Sequence, residues 1–299
     1  MRPAGERLVK FIVNPVSGNG RTRRILPHVV RLAKTLGMNF DVEITRAPQH
    51  ATELAREHSS EFDIIVAVGG DGTVNEVAAG TLRSGAAMGV IPTGTGNDFI
   101  RAVGRLKSLH DYFQRLIAGK VKALDVGVLT ISNDDLIFVN GIGIGFDAEV
   151  ARESLRVHRL RGLSRYFYSV VRTLYRYKAA QMRIRLDERI VEGTTYLAAI
   201  GNGISAGGGF LLTPDALLDD GLLDACIVSD VSIPRVIQVI PSVLAGTHAK
   251  YPEVTMTRAK LISVQSEIPV SIHRDGEVPP ERVESFEMSI RPRCLNIVV

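Results

Sequence analysis

The segment VAVGGDGTVNEV, residues 66–77, joins an apolar run to a helical pattern through three glycines and one acid. Glycines at such a junction let backbone N–H groups approach a phosphate, and the N-terminus of the following helix adds positive potential. The segment lacks the spacing and the lysine of a Walker loop. We therefore expect Asp71 to accept a ribose hydroxyl or to hold a hydrated cation. The alternative is a glycine turn in which Asp71 caps the helix that opens near Thr73.

Two more glycine-rich turns follow predicted strands in the first half of the chain. NPVSGNGR (14–21) ends the first apolar run, and IPTGTGNDFIRA (91–102) opens another helix with Asn97 or Asp98 as its N-cap. In a parallel sheet with right-handed crossovers, the carboxyl ends of the strands lie at one edge, where ligands bind. The three turns therefore predict a single nucleotide-binding crevice.

The distribution of apolar residues changes near Val121. Before it, short apolar runs alternate with helical periodicity, which is typical of a parallel sheet covered by helices. After it the pattern is β-rich, and the longest helical segment covers 147–178. We expect a Rossmann-like α/β N-terminal domain over 1–125 and an antiparallel β-sandwich C-terminal domain over 126–291.

These patterns also predict the individual strands. In the first domain they lie at 8–13, 39–45, 63–68 and 86–92. In the second domain they lie at 126–131, 135–142, 181–187, 194–200, 222–229, 258–265, 268–274 and 283–290. The closing CLNIVV (294–299) is apolar enough to be a strand, so residues 292–299 are a candidate return to the first domain.

The composition is that of an ordinary globular protein, with 45% hydrophobic and 23% charged residues among 299. No apolar run approaches the roughly 18 residues that a membrane span requires. Cys226 and Cys294 form no disulfide or metal-binding pattern, which favours a reducing compartment. We expect a cytoplasmic protein that is not integral to a membrane.

The net charge of +4 is unevenly distributed. Residues 152–178 contain eight Arg or Lys and one acid, interleaved with leucines and aromatic residues. Such a stretch is typical of a peripheral surface that meets anionic lipid. A solvated helix that buries its aromatics is the alternative, and we expect no nucleic-acid partner although the charge would suit one. The sequence leaves a homodimer open.

Six motifs spread over almost the whole chain resemble the diacylglycerol kinase catalytic-domain superfamily, which includes sphingosine and ceramide kinases. The motifs are NPxSG (14–18), GGDGTxNEV (69–77), PTGTGNDFxR (92–101), GNGISAGGGF (201–210), PDALLDDGLLD (214–224) and DGE (275–277). The pattern is most similar to bacterial soluble lipid kinases of the YegS-like and diacylglycerol kinase B types. The resemblance implies a first domain like that of phosphofructokinase and NAD kinase, and a second domain that accepts a lipid.

The resemblance also implies which residues bind and react. It implies ATP contacts at Asn14, Ser17, Gly18, Thr45, Gly70, Asp71, Gly72, Thr73, Val74, Asn75, Glu76, Thr95 and Asn97. It implies a Mg²⁺ site, structural or catalytic, in the DDG turn, formed by the Asp220 carboxylate and the carbonyls of Leu217 and Leu222. It implies that Glu277 accepts the proton of the lipid hydroxyl, with Asp275 and Asp98 as further catalytic residues.

The residues themselves give a reason for the role of Glu277. A kinase that acts on an alcohol needs a base within hydrogen-bond reach of the hydroxyl, and HRDGEVPP places Glu277 in a turn after a strand. The alternative is an exposed β-turn with ordinary charges, for which Asp–Gly is sufficient reason. One departure from the family is Asn19, where many relatives carry lysine; Arg21 or Arg23 would have to replace that contact.

Three functions remain in competition. The motifs favour a lipid kinase that uses ATP and Mg²⁺ and acts on diacylglycerol or a related lipid at the membrane surface. An NAD kinase shares GGDGT and the two-domain plan, although Asn75–Glu76 and PTGTGND favour the lipid-kinase branch. A non-catalytic peripheral membrane protein would keep the nucleotide pocket but would not need the DDG and DGE turns.

Overall fold

The computed structural model describes residues 2–3, 5–157, 160 and 162–299. The chain divides into two compact units. Unit 1 contains residues 1–125 together with 292–299, and unit 2 contains residues 126–291.

Unit 1 alternates strands and helices along the chain. Its elements are β1 (Leu8–Val13), α1 (Ser17–Thr35), β2 (Asn39–Ile44), α2 (His50–His58), β3 (Ile64–Gly69), α3 (Asp71–Thr81), β4 (Ala87–Pro92), α4 (Asp98–Val103) and α5 (Leu109–Ala118). The predicted α/β architecture is therefore confirmed, and each of the four predicted strands is observed within one residue of its expected bounds.

The strands of unit 1 form a parallel sheet in the order β4-β3-β1-β2. Every residue of β3 is buried, because this strand lies in the middle of the sheet with helices above and below it. Near the C-terminus, Ile297 pairs with Met88 in parallel fashion, so residues 292–298 extend the sheet beyond β4.

Two helix starts differ from the simple prediction. Helix α3 begins at Asp71 and not near Thr73, because Gly70 is extended and forms the N-cap. Within α1, Gly18, Asn19 and Gly20 have positive φ, so a left-handed turn precedes the regular helix. The chain thus turns sharply directly after β1, at the edge where the other glycine-rich loops begin.

Unit 2 is rich in antiparallel strands. Its strands are β5 (Val121–Ile131, which begins in unit 1), β6 (Asp134–Phe138), β7 (Gly141–Gly145), β8 (Ala180–Leu186), β9 (Arg189–Gly201), β10 (Leu223–Ser229), β11 (Val254–Ala259), β12 (Leu261–Val270), β13 (Ile272–Arg274) and β14 (Val283–Val298, which ends in unit 1). Its helices are α6 (Phe146–Arg156), α7 (Gly162–Leu174) and α8 (Ile233–Leu244).

Strand β9 pairs with several neighbours in unit 2. Its first half pairs with β8 and its second half pairs with β7, so that it contributes to two parts of the sheet system. The antiparallel ladder then continues as β11-β10-β9-β8-β12-β14. The expected antiparallel C-terminal domain is confirmed, although three predicted runs are each divided. The run 135–142 is split between β6 and β7, the run 258–265 is split at Lys260, and the run 268–274 is split at Ser271.

The helices of unit 2 cover a second apolar cluster beside the strand core. Phe146 and Val170 pack with Tyr196 and Phe210, and α8 contributes partly buried aliphatic residues to the same cluster. His158, Arg159 and Arg161 of the predicted basic stretch lie outside the described residues. Within the described part of the chain, every helix is too short or too polar to cross a bilayer.

Candidate active site

The three glycine-rich loops of unit 1 lie side by side at the carboxyl edge of its sheet. The N–H of Thr93 donates to the carbonyl of Gly69 (2.8 Å), which connects the loop after β4 to the end of β3. On the other side, the N–H of Asn14 donates to the carbonyl of Val68 (3.0 Å). Thr45 continues the row after β2, where its N–H donates to the carbonyl of Val13 (2.9 Å).

Glycines allow these loops to touch through their backbones. A Cβ atom on Gly94 would lie 2.5 Å from the Cα atom of Gly70, and a Cβ atom on Gly70 would lie 3.1 Å from the Ser17 hydroxyl. Since real Cβ atoms do not approach other atoms so closely, a side chain at Gly94 would force the second and third loops apart. A hydroxyl pair that the sequence analysis missed, Thr22 with Thr93 (2.5 Å between oxygens), also joins the first and third loops.

The N-terminus of α3 has the features of an anion site. Its N-cap, Gly70, makes no side-chain hydrogen bond, and within the described part of the chain no side chain accepts from the first-turn N–H groups of Asp71, Gly72 and Thr73. The Thr73 hydroxyl receives a hydrogen bond from the Asn14 amide (2.9 Å), which fixes the first loop against the second. Uncapped helix amides beside glycine backbone are suited to an anion, and phosphate binding here stays a prediction.

Asp71 does not have the surroundings expected of a ligand-facing acid. Its carboxylate accepts the N–H groups of Asn97 (2.7 Å), Asp98 (2.8 Å) and Phe99 (3.4 Å), at the start of α4. Asp71 therefore caps a helix, as the alternative interpretation proposed, but the helix is α4 and not its own α3. Desolvation and the nearby Asp98 carboxylate raise the pKa of Asp71 to about 7, although the three N–H donors oppose this shift.

Glu76 likewise accepts hydrogen bonds from the start of a neighbouring helix. Its carboxylate accepts the N–H of Ala51 (3.1 Å), and its carbonyl accepts the hydroxyl of Thr52 (3.0 Å), both at the start of α2. The neighbouring Val74 and Asn75 are buried. These three predicted ATP contacts therefore hold α3 in place rather than line an open surface.

The third loop combines a buried and an exposed part. Thr95 is exposed, whereas Asp98 is buried and its carboxylate lies 3.7 Å from the Arg101 guanidinium. Asn97 has positive φ, and its amide donates to the carbonyl of Gly94 (2.9 Å). Of the predicted residues in this loop, Thr95 is the one whose side chain is open to a ligand.

In unit 2 the DGE motif forms a tight hairpin turn. Asp275 and Gly276 both have positive φ, and the backbones of Arg274 and Glu277 exchange two hydrogen bonds of 2.8 Å. This is the two-residue turn that Asp–Gly favours. The Glu277 side chain is 47% exposed and pairs with the Arg274 guanidinium at 3.2 Å.

Asp275 stabilises this turn from the inside. Its buried carboxylate accepts the N–H groups of Val139 (2.8 Å), Asn140 (3.0 Å) and Gly141 (2.8 Å) between β6 and β7. Both carboxylate oxygens are thus engaged by the backbone. This geometry suits a residue that holds the turn, whereas the Glu277 carboxylate is accessible; direct participation of Asp275 in catalysis stays a prediction.

An apolar cavity in unit 2 was not predicted. It has an empty volume of about 840 Å³, part of it open to solvent, and lies between α8 and the strands β9 and β10. Aliphatic and aromatic side chains form nearly all of its wall, among them Phe146, Leu197, Phe210, Val236 and Ile240. Sequence periodicity could not reveal this cavity because its walls come from separate elements.

Asp147 is a buried carboxylate in the wall of that cavity, which the sequence analysis also missed. It lies 2.7 Å from the Nε2 atom of His273, which precedes the DGE turn by two residues. The Gly143 position leaves room for the pair, since a Cβ atom there would overlap both side chains. A signal was present in the sequence, because NGIGIGFD ends in this acid and HRDGE begins with this histidine.

The DDG segment offers oxygen atoms suited to a hard cation. One Asp220 oxygen accepts the N–H of Leu222 (3.0 Å), and Leu217 and Leu222 both lie in irregular backbone. Burial raises the pKa of Asp224 against the opposing hydrogen bond from Arg258, and the carboxylates of Asp220 and Asp215 add a smaller increase. One Asp224 oxygen is buried and has no hydrogen-bond partner among the residues that the structure describes. Such an oxygen-rich, acidic segment is compatible with Mg²⁺.

The comparison with known proteins identifies the class and then the family. A parallel α/β unit with an antiparallel β unit is the fold of a diacylglycerol kinase structure from Bacillus anthracis (TM-score 0.72, 22% identity, 98% of this chain and 96% of that one). A yeast NADH kinase structure shares the fold more distantly (TM-score 0.51, 13% identity, 97% and 79%).

Sequence matches establish the family itself. Residues 8–129 match the diacylglycerol kinase catalytic domain, and residues 140–299 match the YegS C-terminal NAD kinase beta sandwich-like domain. Diacylglycerol kinases of Staphylococcus saprophyticus (30% identity, 90% of this chain and 88% of the relative) and Bacillus subtilis (29%, 90% and 89%) align over nearly full length. The chain belongs to the YegS-like diacylglycerol kinase family, as the motifs predicted.

Proposed function

We propose that this protein is a lipid kinase that transfers the γ-phosphoryl group of ATP to a hydroxyl of diacylglycerol or a related lipid. The observation that carries the proposal is the family match over both units, combined with the loop arrangement in unit 1. The loops after β1, β3 and β4 present glycine backbone and an uncapped helix N-terminus at one sheet edge, which suits a nucleotide triphosphate.

In this proposal the loops divide the binding of ATP between backbone and side chains. The N–H groups at Gly70, Gly72 and Thr73 bind phosphate oxygens, with the backbone of Gly18 and the Ser17 hydroxyl beside them. Thr45 and Thr95 contact the remainder of the nucleotide. Asp71 and Glu76 do not contact ATP directly in this proposal. Their carboxylates instead fix the helices that carry these loops.

The proposed acceptor is a lipid because unit 2 contains a cavity for hydrocarbon. Its wall is almost wholly apolar, which favours acyl chains over a soluble polar substrate. The Asp147 carboxylate, paired with His273, is a polar group in that wall and would face the polar end of the lipid.

Glu277 is the proposed base. It accepts the proton of the lipid hydroxyl while that oxygen forms its bond to the γ-phosphorus, and the bond to the β–γ bridging oxygen breaks to release ADP. Asp275 is a positioning residue that holds the turn carrying Glu277. Mg²⁺, when bound with ATP, would neutralise phosphate charge, and Asp220 with the carbonyls of Leu217 and Leu222 would hold a metal ion in unit 2.

Transfer of labelled γ-phosphate into lipid tests the proposal. The purified protein is incubated with ATP and Mg²⁺ and with diacylglycerol, phosphatidylglycerol or a sphingoid base, and the product is identified by mass. We expect incorporation into at least one lipid and none when Mg²⁺ is chelated. A folded protein that binds ATP but phosphorylates no lipid would contradict the proposal. NAD⁺ is included as an acceptor because the NADH kinase fold is related; its phosphorylation would select the alternative function.

A further inference from the structure

Helix α6 contacts the strand that leads into the turn carrying Glu277. The Asp147 carboxylate lies 2.7 Å from the Nε2 atom of His273, and the Glu149 carboxylate accepts the hydroxyl of Ser271 (2.6 Å). His273 belongs to β13 and Ser271 directly precedes that strand. The chain before the turn is therefore fixed to the first turn of α6.

The same helix also contacts the chain after the turn. The Arg152 guanidinium donates to the carbonyls of Pro279 (2.9 Å) and Pro280 (3.1 Å). Two residues later, the Arg282 guanidinium lies 2.8 Å from the Glu149 carboxylate. Helix α6 thus holds the hairpin turn from both of its sides, and Arg152 provides the contact nearest to Glu277 on the outgoing side.

The two prolines make this outgoing segment depend on Arg152. Proline has no N–H, so neither Pro279 nor Pro280 can donate to a neighbouring strand. Among the described residues, their carbonyls accept no hydrogen bond other than those from Arg152. A guanidinium donates such paired hydrogen bonds in a rigid, planar geometry, so one side chain fixes two successive peptide units directly after Glu277.

The turn itself has few contacts that could replace this one. It projects from β13, which is only three residues long. Its backbone is closed by the two hydrogen bonds between Arg274 and Glu277, and the Gly276 N–H donates to the Nδ1 atom of His273 over a long 3.4 Å. Asp275 fixes the inner side of the turn, but its partners all precede β7 or begin it. The outgoing side therefore relies on α6.

Helix α6 also forms part of the wall of the apolar cavity. Phe146, its first residue, lines the cavity and packs against Tyr196 with ring centres 4.8 Å apart. Asp147 lines the cavity beside it. The wall proposed to hold the lipid and the turn proposed to hold the base thus share one helical support, which suits a reaction that requires a fixed distance between base and acceptor.

We propose that Arg152 is a positioning residue for phosphoryl transfer, whose hydrogen bonds to Pro279 and Pro280 hold Glu277 in the orientation that accepts the proton. Arg152 acts through Glu277 and not on the reacting atoms. The catalytic part of this inference rests on the proposed function. The tether itself can be measured without turnover, so the two failures are distinguishable.

The variant R152A tests the tether and its consequence in the full chain. Hydrogen–deuterium exchange, followed by mass spectrometry of peptides covering 272–283, should be about tenfold faster in the turn, because two charge-assisted hydrogen bonds are lost. We expect kcat for lipid phosphorylation to fall about tenfold, with the KM for ATP close to wild type. Arg152→Lys, which keeps the charge but not the paired geometry, should be intermediate in both measurements.

Two further variants separate positioning from a general structural effect. R189A removes an exposed arginine of β9, and we expect it to behave like the wild type in both measurements. The double variant R152A/E277Q should be no slower than E277Q, because Arg152 acts through Glu277. Additive losses in the double variant, or a KM for ATP that rises in parallel with the loss of kcat in R152A, would overturn the positioning role.

The exchange measurement decides the tether by itself. Unchanged exchange of the 272–283 peptides in R152A would overturn it, whatever the activity of the variant. Faster exchange in R152A, combined with a wild type that phosphorylates no lipid, would confirm the tether and contradict the proposed function.

Discussion

Two Asp–Gly steps, Asp71–Gly72 and Asp275–Gly276, place a carboxylate in the same local role but in different electrostatic surroundings. Each carboxylate accepts three consecutive backbone N–H groups from a distant segment. Asp275 shares its turn with the Arg274 guanidinium, whereas Asp71 faces the carboxylate of Asp98. The same dipeptide therefore belongs to a hairpin turn in one unit and supplies a helix cap in the other.

The difference suggests how an acid can lie within the proposed phosphate cradle. Burial and the nearby Asp98 carboxylate raise the pKa of Asp71, which weakens its tendency to carry a negative charge. Its oxygens also point at the amides of α4, so a bound phosphate would meet the uncapped amides of α3 first. By contrast, the Asp275 turn leaves the next acid, Glu277, accessible.

The substitution Glu277→Gln tests whether the second turn exists to present a base. We expect phosphoryl transfer to fall by about a hundredfold to ten-thousandfold, because Gln cannot accept the proton. ATP affinity and the urea midpoint should stay close to wild type, since the side chain is exposed. The exposed Glu281, changed to Gln, is the control and should retain activity. Wild-type rates for Glu277→Gln would remove this residue from the mechanism.

Gly94→Ala tests the packing of the first unit's loops. A methyl group 2.5 Å from the Gly70 Cα atom must separate the two loops. We expect a loss of about 2 kcal/mol in the free energy of unfolding and about tenfold weaker ATP binding, measured by urea denaturation and calorimetry. Gly85→Ala is the control because a Cβ atom there meets nothing within 4 Å. Unchanged ATP affinity in Gly94→Ala would mean that the loops do not form the cradle.

Asp275→Asn separates positioning from proton transfer. In Asn an NH2 group, which cannot accept a hydrogen bond, replaces one carboxylate oxygen, so at least one of the N–H groups at Val139, Asn140 and Gly141 loses its acceptor. We expect a loss of about 2 kcal/mol in stability and a lower kcat with little change in the KM for ATP. Glu277→Gln should lose only activity. If both variants lost activity and neither lost stability, the assigned difference between the two acids would be wrong.

Asp71→Asn tests the raised pKa of Asp71 through the pH dependence of the free energy of unfolding. The pKa of Asp71 is about 7 in the folded chain and 3.8 in the unfolded reference, so the folded state binds more protons between these values. The contribution of Asp71 to stability is therefore largest below about pH 4 and is lost as pH rises towards about 7. The free energy of unfolding of the wild type should decline over this window relative to that of the variant. Parallel profiles would contradict the raised pKa.

The architecture followed from sequence where local patterns were sufficient. Strand β3 was predictable because a buried parallel strand is apolar at every position, and the DGE hairpin because Asp–Gly adopts positive φ at little cost. The side-by-side loops were predictable as well, since crossover handedness places strand ends on one edge. The division of 135–142 into two strands was missed because Val139 is apolar and Asn140 is polar, and neither residue interrupts the pattern of a single strand.

By itself the sequence determined the family, the α/β and antiparallel classes, and the three loops at one sheet edge, because these depend on local patterns. Only the tertiary structure decided what the acids do. Asp71 and Asp98 are 27 residues apart and Asp275 and Gly141 are 134 apart, and no local pattern encodes those contacts. The apolar cavity depends on tertiary packing for the same reason, since its walls meet only when distant strands and helices pack together.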